Sequence, residues 1–282
     1  MLRRLIAASL LALFLGFALF FLTLPDVRAL RTKFPATTAF MERRKVELER
    51  TGKSVHLEWS PVPLARIAPA LQRAAVVGED ARFWEHEGVD WEAVARALRE
   101  DIEDGDVRRG GSTITQQLAK NLYLSPARTP WRKVREWAIA RRLERDLTKR
   151  RILELYLNVV EFGERTYGAE AAARRYFRKP ASRLTPREAA TLAAVIPSPR
   201  FYDPVRHPAR VARRARRIQR WMGRWRTFPS ASRDDASRAT PRAPAAATPT
   251  VPPPVEPGPG RPAPGSAGLS GILIVDKTNG ES

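Results

Sequence analysis

From Leu5 to Leu24 the chain runs for 20 consecutive residues without a charge, most of them Leu, Phe, Ala and Ile. Such a run has few fates. At about 1.5 Å of rise per residue, a helix of this length spans about 30 Å, the thickness of a bilayer's hydrocarbon core. A cleaved signal peptide would have an apolar region of about 7–15 residues closing on small residues. Here the run closes Phe21-Leu22-Thr23-Leu24-Pro25, with no such site. Residues 1–24 are therefore expected to be a single-pass transmembrane anchor. Arg3 and Arg4 ahead of the span favour a cytoplasmic amino terminus and an exported body, although Arg28, Arg31 and Lys33 behind it weaken the asymmetry.

The formal charge of +20 asks for an anionic partner. Nucleic acid, an acidic membrane surface and a phosphorylated substrate all qualify, and the anchor favours the two lipid-borne choices, with no nucleic acid expected. The chain has no cysteine, which excludes disulfides, thiolate nucleophiles and cysteine-ligated zinc.

Behind the anchor, residues 25–60 read as a stalk with one basic amphipathic stretch around Met41–Arg50. Residues 61–225 read as the globular domain, with helices over Leu64–Val77, from Asp90 as N-cap, from Ser112 as cap toward Leu122, over Trp131–Leu147, and over Arg150–Val159 capped by Thr148. Gly168–Phe177 follows, and Thr185-Pro186-Arg187-Glu188 is a compact start signal of cap, proline and capping-box glutamate. No alternating strand stands out. A last helix at Pro208–Trp225 carries arginines around an apolar stripe of Val211, Ala215, Ile218, Trp221 and Trp225; it reads as a surface helix packed on the domain or as a membrane-contacting one. Eleven of the 24 prolines follow Arg226, and residues 226–282 read as a Pro/Ala-rich disordered tail. The final stretch, Gly268 to Ser282, resembles the opening strand of the tRNA pseudouridine synthases that modify the T-loop. It covers 15 residues, stops short of that family's catalytic aspartate motif, and is assigned no activity.

Two features concentrate the chemistry. Glu79-Asp80-Ala-Arg-Phe83-Trp-Glu-His86-Glu-Gly88 pairs two carboxylates with aromatics and a histidine. Gly110-Gly-Ser112-Thr-Ile-Thr-Gln-Gln117-Leu-Ala-Lys120-Asn121 is a glycine turn opening an amide-rich helix. Arg128, Arg132 and Lys133 cluster behind it with Glu136 among them. Singly, each has an ordinary reading: a capping acidic pair, a structural histidine, a turn, a solvated basic face. Together they are equipment for acid–base chemistry beside a cationic pocket suited to a phosphorylated substrate.

These residues resemble the family 51 glycosyltransferases, the transglycosylase modules of cell-wall synthesis. The resemblance covers about Pro61 to Trp221. Glu-Asp-x-x-Phe-x-x-His-x-Gly stands intact at 79–88 and Gly-Gly-Ser-Thr-Ile-Thr-Gln-Gln-Leu-x-Lys-Asn at 110–121. Arg-Lys-x-x-Glu lies at 132–136 and Lys-x-x-Ile-Leu-Glu-x-Tyr-Leu-Asn at 149–158. The resemblance implies a mainly α, lysozyme-like transglycosylase domain with a smaller membrane-facing lobe, preceded by one transmembrane helix. It implies polymerisation of lipid II into β-1,4-linked glycan strands, with inversion and release of polyprenyl diphosphate. In that pattern Glu79 is the general base and Glu136 the second essential carboxylate, acting through a divalent cation (Mg or Mn) or ordered water. Lys120 and Arg128 serve the leaving diphosphate. Ser112, Gln117, Asn121, Arg132, Lys133 and His86 bind substrate or support the site.

Partners so implied are lipid II, the growing polyprenyl-diphosphate strand, membrane lipids and other cell-wall synthases. The implied location is the bacterial inner membrane, with the catalytic domain on the periplasmic side. Bifunctional relatives add a transpeptidase domain with Ser-x-x-Lys and Lys-Thr-Gly motifs. This chain has no Ser-x-x-Lys, and Lys277-Thr278 is followed by Asn279, so the monofunctional biosynthetic kind is expected. A hydrolase of the same fold would not need Lys120 and Arg128, and a non-enzymatic scaffold would not need the two carboxylates with them.

Overall fold

The computed structural model describes residues 1–95, 111–127 and 129–224. The expectations that fall on Gly110, Arg128, Trp225 and residues 226–282 lie outside these. The described chain is predominantly helical.

Helix α1 (Leu2–Leu22) leaves its apolar side chains uncovered on every side, as at Leu13 (72% exposed) and Phe17 (63%). An all-round apolar helix that no protein covers is what a lipid-facing span requires, and Arg3–Leu22, with mean hydropathy 2.7, is long and apolar enough to cross a membrane. Its carboxyl end is tied down by arginines of α5 (Pro130–Asp146). Arg142 donates to the carbonyls of Phe21, Leu24 and Pro25 at 3.0–3.2 Å, and Arg135 donates to Oγ1 and O of Thr23, both at 3.1 Å. These cations meet the carbonyls at and just past the helix end, where the dipole is negative. Trp131 sets its ring against Phe20, centroids 5.0 Å apart.

Residues 25–60, expected as a stalk, are packed onto the helical body instead. Val27 and Leu30 enter the main core, and α2 (Ala39–Arg50) buries Met41 and Leu48. Each such side chain contributes roughly 1.5–3 kcal/mol by leaving water. Arg151 donates to the carbonyls of Leu30 and Lys33, and Arg44, itself buried, donates to the carbonyl of Glu164.

The core is built where α3 (Pro69–Glu79) packs on α8 (Pro186–Val195), with α9 (Pro208–Arg224) laid across both. Ala74 and Ala75 of α3 and Ala189, Ala190, Ala193 and Ala194 of α8 are fully buried, small side chains that let the helices approach. On α9 the buried stripe is Val211, Ala215, Ile218 and Met222, so the helix packs on the domain and turns Arg213, Arg216, Arg217 and Arg220 outward; Trp221 is only partly covered. The second half of the core joins α4 (Ile114–Tyr123) to α5 and to α6 (Lys149–Val159).

Five helices start on threonines whose hydroxyls accept the N–H three residues on: Thr38, Thr113, Thr129, Thr148 and Thr185. Thr185 and Glu188 form the full capping box. Asp90 caps as expected, accepting from the Ala93 N–H at 2.9 Å. The cap of α4 is Thr113 rather than Ser112, because Thr113 also donates to the carbonyl of Gly88 at 2.6 Å and is locked there.

A three-stranded sheet, absent from the sequence reading, runs in the order β1 (Glu58–Trp59), β3 (Thr166–Tyr167), β2 (Glu161–Gly163). β1 pairs parallel and β2 antiparallel with β3, with a bulge between Glu161 and Gly163. Strands of two or three residues are too short to show a period. Gly168 then caps α7 (Ala169–Phe177) at φ +81 and ψ 156, with the Asn158 carbonyl oxygen 2.6 Å from where a Cβ would sit. We expect Gly168→Ala to destabilise the fold by about 3 kcal/mol or more. Gly52→Ala, at φ +66 in open space, should cost about 1–2 kcal/mol. Thermal unfolding of the two variants in detergent checks the contrast.

Candidate active site

The acidic pair at the end of α3 divides its labour by direction. Asp80 turns inward: both its oxygens lie 2.9–3.0 Å from His86 Nε2, and Oδ2 accepts the Ile114 N–H at 2.9 Å. The second ring nitrogen, His86 Nδ1, accepts the Gly88 N–H at 3.1 Å, so His86 is the Nε2–H tautomer with both nitrogens used. His86 therefore braces Asp80, with both ring nitrogens bonded within the protein. Phe83 is fully buried beneath this loop. Gly88 stands at φ +90 with a Glu144 carbon 3.1 Å and the Ala140 carbonyl oxygen 3.3 Å from a would-be Cβ. The spacing Glu-Asp-x-x-Phe-x-x-His-x-Gly is thus a loop sewn to the first turn of α4 and the flank of α5.

Glu79 points the other way, its side chain 8% exposed. Oε1 accepts from Arg214 of α9 at 3.1 Å, and Oε2 accepts from Gln117 Nε2 of α4 at 3.1 Å. Gln117 is oriented by Tyr156 of α6, whose hydroxyl donates to its Oε1 at 3.0 Å. Burial pushes the Glu79 carboxyl up to about 7, opposed by Arg214 and by the Gln117 hydrogen bond. A carboxyl poised there can take a proton near neutral pH.

A hydrogen-bonded chain leads from Glu79 to the second carboxylate. Gln117 Nε2 also reaches the Ser112 carbonyl (3.4 Å), Ser112 Oγ accepts from Lys133 Nζ (3.2 Å), and Lys133 Nζ donates to Glu136 Oε1 (2.6 Å). Arg132 holds the other Glu136 oxygen at 2.5 Å. Glu136 is 2% exposed, and each of its oxygens is held by one cationic side chain, so it fixes Arg132 and Lys133 in the site. Lys120 is largely buried between these groups, feels the charges of Glu79, Glu136, Arg132 and Lys133, and is pulled below the usual lysine range by desolvation. Its ammonium lies 5.7 Å from the Phe40 ring centroid. Beyond Phe40, a cavity of about 190 Å³ contains Glu161, whose carboxyl burial also pushes up to about 7.

The donors present do not fit a resident divalent cation: among the described residues no group of three or more His, Asp or Glu is placed to hold one, and both Glu136 oxygens are taken by cationic side chains. The structure thus brings together Glu79, Gln117, Ser112, Lys120, Arg132, Lys133 and Glu136. His86 and Asn121 are buried, the latter 7% exposed, and Arg128 lies outside the described residues. Arg214 and Tyr156 complete the surroundings of Glu79 and were not singled out from sequence. Tyr156 stands in the 149–158 motif, which was the available signal; Arg214 is one arginine among many on its helix.

Comparison with known proteins now bears on this geometry. Residues 45–223 match the family described as Transglycosylase. The chain is 47% identical over 215 residues to a biosynthetic peptidoglycan transglycosylase of Laribacter hongkongensis, covering 76% of this chain and 93% of that one. Similar matches are the proteins of the same description from Chromobacterium violaceum (46% over 217 residues, 77% and 94% covered) and Aromatoleum aromaticum (50% over 188 residues, 67% and 81% covered). With the family match spanning more than half the chain and its motifs folded into one site, this chain belongs to the transglycosylase family.

Proposed function

We propose that the protein is a peptidoglycan glycosyltransferase that polymerises lipid II into glycan strands for the bacterial cell wall, in which Glu79 is the general base. The observation that carries this reading is the buried Glu79 carboxyl, pushed to about 7, in one site with a buried lysine and the Arg132–Glu136–Lys133 cluster.

The 4-hydroxyl of an incoming lipid II is a weak nucleophile. As its oxygen bonds to the anomeric carbon of the growing strand, the hydroxyl proton passes to the Glu79 carboxylate. The bond from that carbon to the polyprenyl diphosphate breaks, and the diphosphate leaves with the electron pair. Attack opposite an α-linked leaving group yields a β-1,4 linkage. The leaving group departs already ionised and needs cations rather than an acid. Lys120 is largely buried among the charges of the site, with Arg132 and Lys133 held by Glu136 and Arg128 assigned by its motif position. In a site poor in water such charges act strongly on the developing diphosphate. A divalent cation would find hard oxygen donors on the diphosphate itself, since the described residues group no three carboxylates or histidines to hold one; no step here depends on it. The anchor supports a membrane location. The charge pattern around it favours the periplasmic face of the inner membrane, where lipids and other cell-wall synthases would be neighbours.

Lipid II polymerisation in detergent, read by gel and mass spectrometry, tests this. We expect long strands from the wild type and almost none from Glu79→Gln, a loss of about 100-fold or more. Polymer from both would remove Glu79 as the base, and sugar release without polymer would mark a hydrolase. The base must be ionised, so activity should fall as the pH drops through about 7, the value to which the Glu79 carboxyl is pushed; a pH–rate profile with an acid limb near 4.5 would contradict the burial argument. Lys120→Ala should keep its circular dichroism and lose turnover by about 100-fold. Normal turnover would take lysine out of the leaving-group site.

A further inference from the structure

Arg214 differs from its neighbours on α9. Arg213, Arg216, Arg217 and Arg220 are exposed, whereas the Arg214 side chain is 18% exposed and turned into the domain. Two contacts aim it. Ile218, four residues on and on the same helix face, packs so closely on Gly78 that a Cβ there would lie 3.3 Å from its Cδ1. Arg214 itself reaches the Gly78 carbonyl at 3.5 Å and Glu79 Oε1 at 3.1 Å. The seating of α9 on the end of α3 thereby delivers one guanidinium to one carboxylate.

We infer that Arg214 is a positioning residue of the reaction: it acts through Glu79, holding that carboxylate ionised and aimed from the carboxyl-terminal helix of the domain. The inference rests on Glu79 being the base. With Oε2 held by Gln117 and Oε1 by Arg214, the carboxylate is fixed at both oxygens by separate helices, each oxygen keeping a lone pair for the incoming proton. The charged and titratable groups facing Glu79 are Asp80 beside it on α3, Lys120 on α4, Tyr156 on α6 and Arg214 on α9. Asp80 and burial favour the protonated form, and Arg214 is the largest influence against it. Loss of the guanidinium therefore leaves Glu79 harder to ionise at the pH where it must accept a proton.

The test compares Arg214→Gln, Arg214→Lys and the exposed control Arg213→Gln in the full chain in detergent. Two readouts are taken: lipid II polymerisation against pH, and titration of the Glu79 carboxyl by infrared difference against Glu79→Gln. Arg214→Met, which keeps the packing of the stem, serves if Arg214→Gln does not fold. We expect Arg214→Gln to move both the acid limb and the carboxyl titration to higher pH by about one unit. Turnover should then drop more at pH 6.5 than at 8.5, while Arg214→Lys and Arg213→Gln stay near wild type. Glu161, the other carboxyl pushed to about 7, is removed as a source by repeating the series on Glu161→Gln. A titration and a limb that both stay in place in Arg214→Gln and Arg214→Met would overturn the inference. A titration that moves while the limb stays would retain the ion pair but refute Glu79 as the base, and with it any part for Arg214 in the reaction.

Discussion

The carboxylate of Asp80 accepts a bifurcated bond from His86 and a second bond from the first N–H of α4, and the active site takes its shape from this knot. A carboxylate at a helix amino terminus meets both an unpaired donor and the positive end of the dipole. Here it also fastens the loop after α3 to a helix 34 residues further along the chain. His86 completes the knot by spending its other nitrogen on Gly88, whose carbonyl then receives Thr113, the cap of that same helix. Once Asp80 is committed inward, Glu79 must leave the last turn of α3 in another direction, toward Gln117 and Arg214. Two adjacent acids thus become one structural group and one chemical group.

What Glu79 can do follows from opposing influences, of which burial is the largest. Raising a carboxyl from 4.5 to about 7 corresponds to about 3 kcal/mol against the ionised form. Full burial without partners would carry the shift further, to as much as about 3–5 units in all, and leave a group that is protonated at neutral pH. A freely solvated carboxylate beside an arginine would go the other way, ionised but a feeble base. Desolvation offset by one guanidinium and one amide N–H falls between these limits, and the amide is itself oriented by a buried tyrosine. The second carboxylate, Glu136, is balanced differently. A cation binds each of its oxygens, so its charge holds together Arg132 and Lys133, which would otherwise repel each other and Lys120.

Much of this was legible in the sequence where a local rule suffices. Thr148, Thr185 and Asp90 cap as their hydroxyl or carboxylate chemistry demands, and the apolar spacing of Val211, Ala215 and Ile218 places the buried face of α9. The reading fails where distant contacts choose between equal local options. Ser112 and Thr113 are both good caps, and the choice is made by Gly88, 25 residues away in the chain. Arg213, Arg214 and Arg216 are alike in sequence, and the fit of Ile218 on Gly78 decides which of them meets Glu79. Residues 25–60 look like a tether because their apolar residues are sparse, yet Val27, Leu30, Met41 and Leu48 suffice to seat them once Arg44 and Arg151 bind across to carbonyls. The strands are too short to announce themselves in any window.

That seating matters because the same helix serves the anchor and the chemistry. Arg135 and Arg142 of α5 hold the carbonyls where α1 ends, and Arg132, Lys133 and Glu136 stand on the first turns of α5. Three residues separate Arg132 from Arg135, which is about 4.5 Å along a helix axis. A flexible stalk would let a catalytic domain sample many heights above the bilayer. A rigid helix clamped to the end of the span holds its cations close to the level where the span leaves the hydrocarbon. On the proposed function, a diphosphate whose polyprenyl chain remains in a bilayer would present itself near that level. The clamp would then fix the height of those cations relative to the end of the candidate span from one round of transfer to the next.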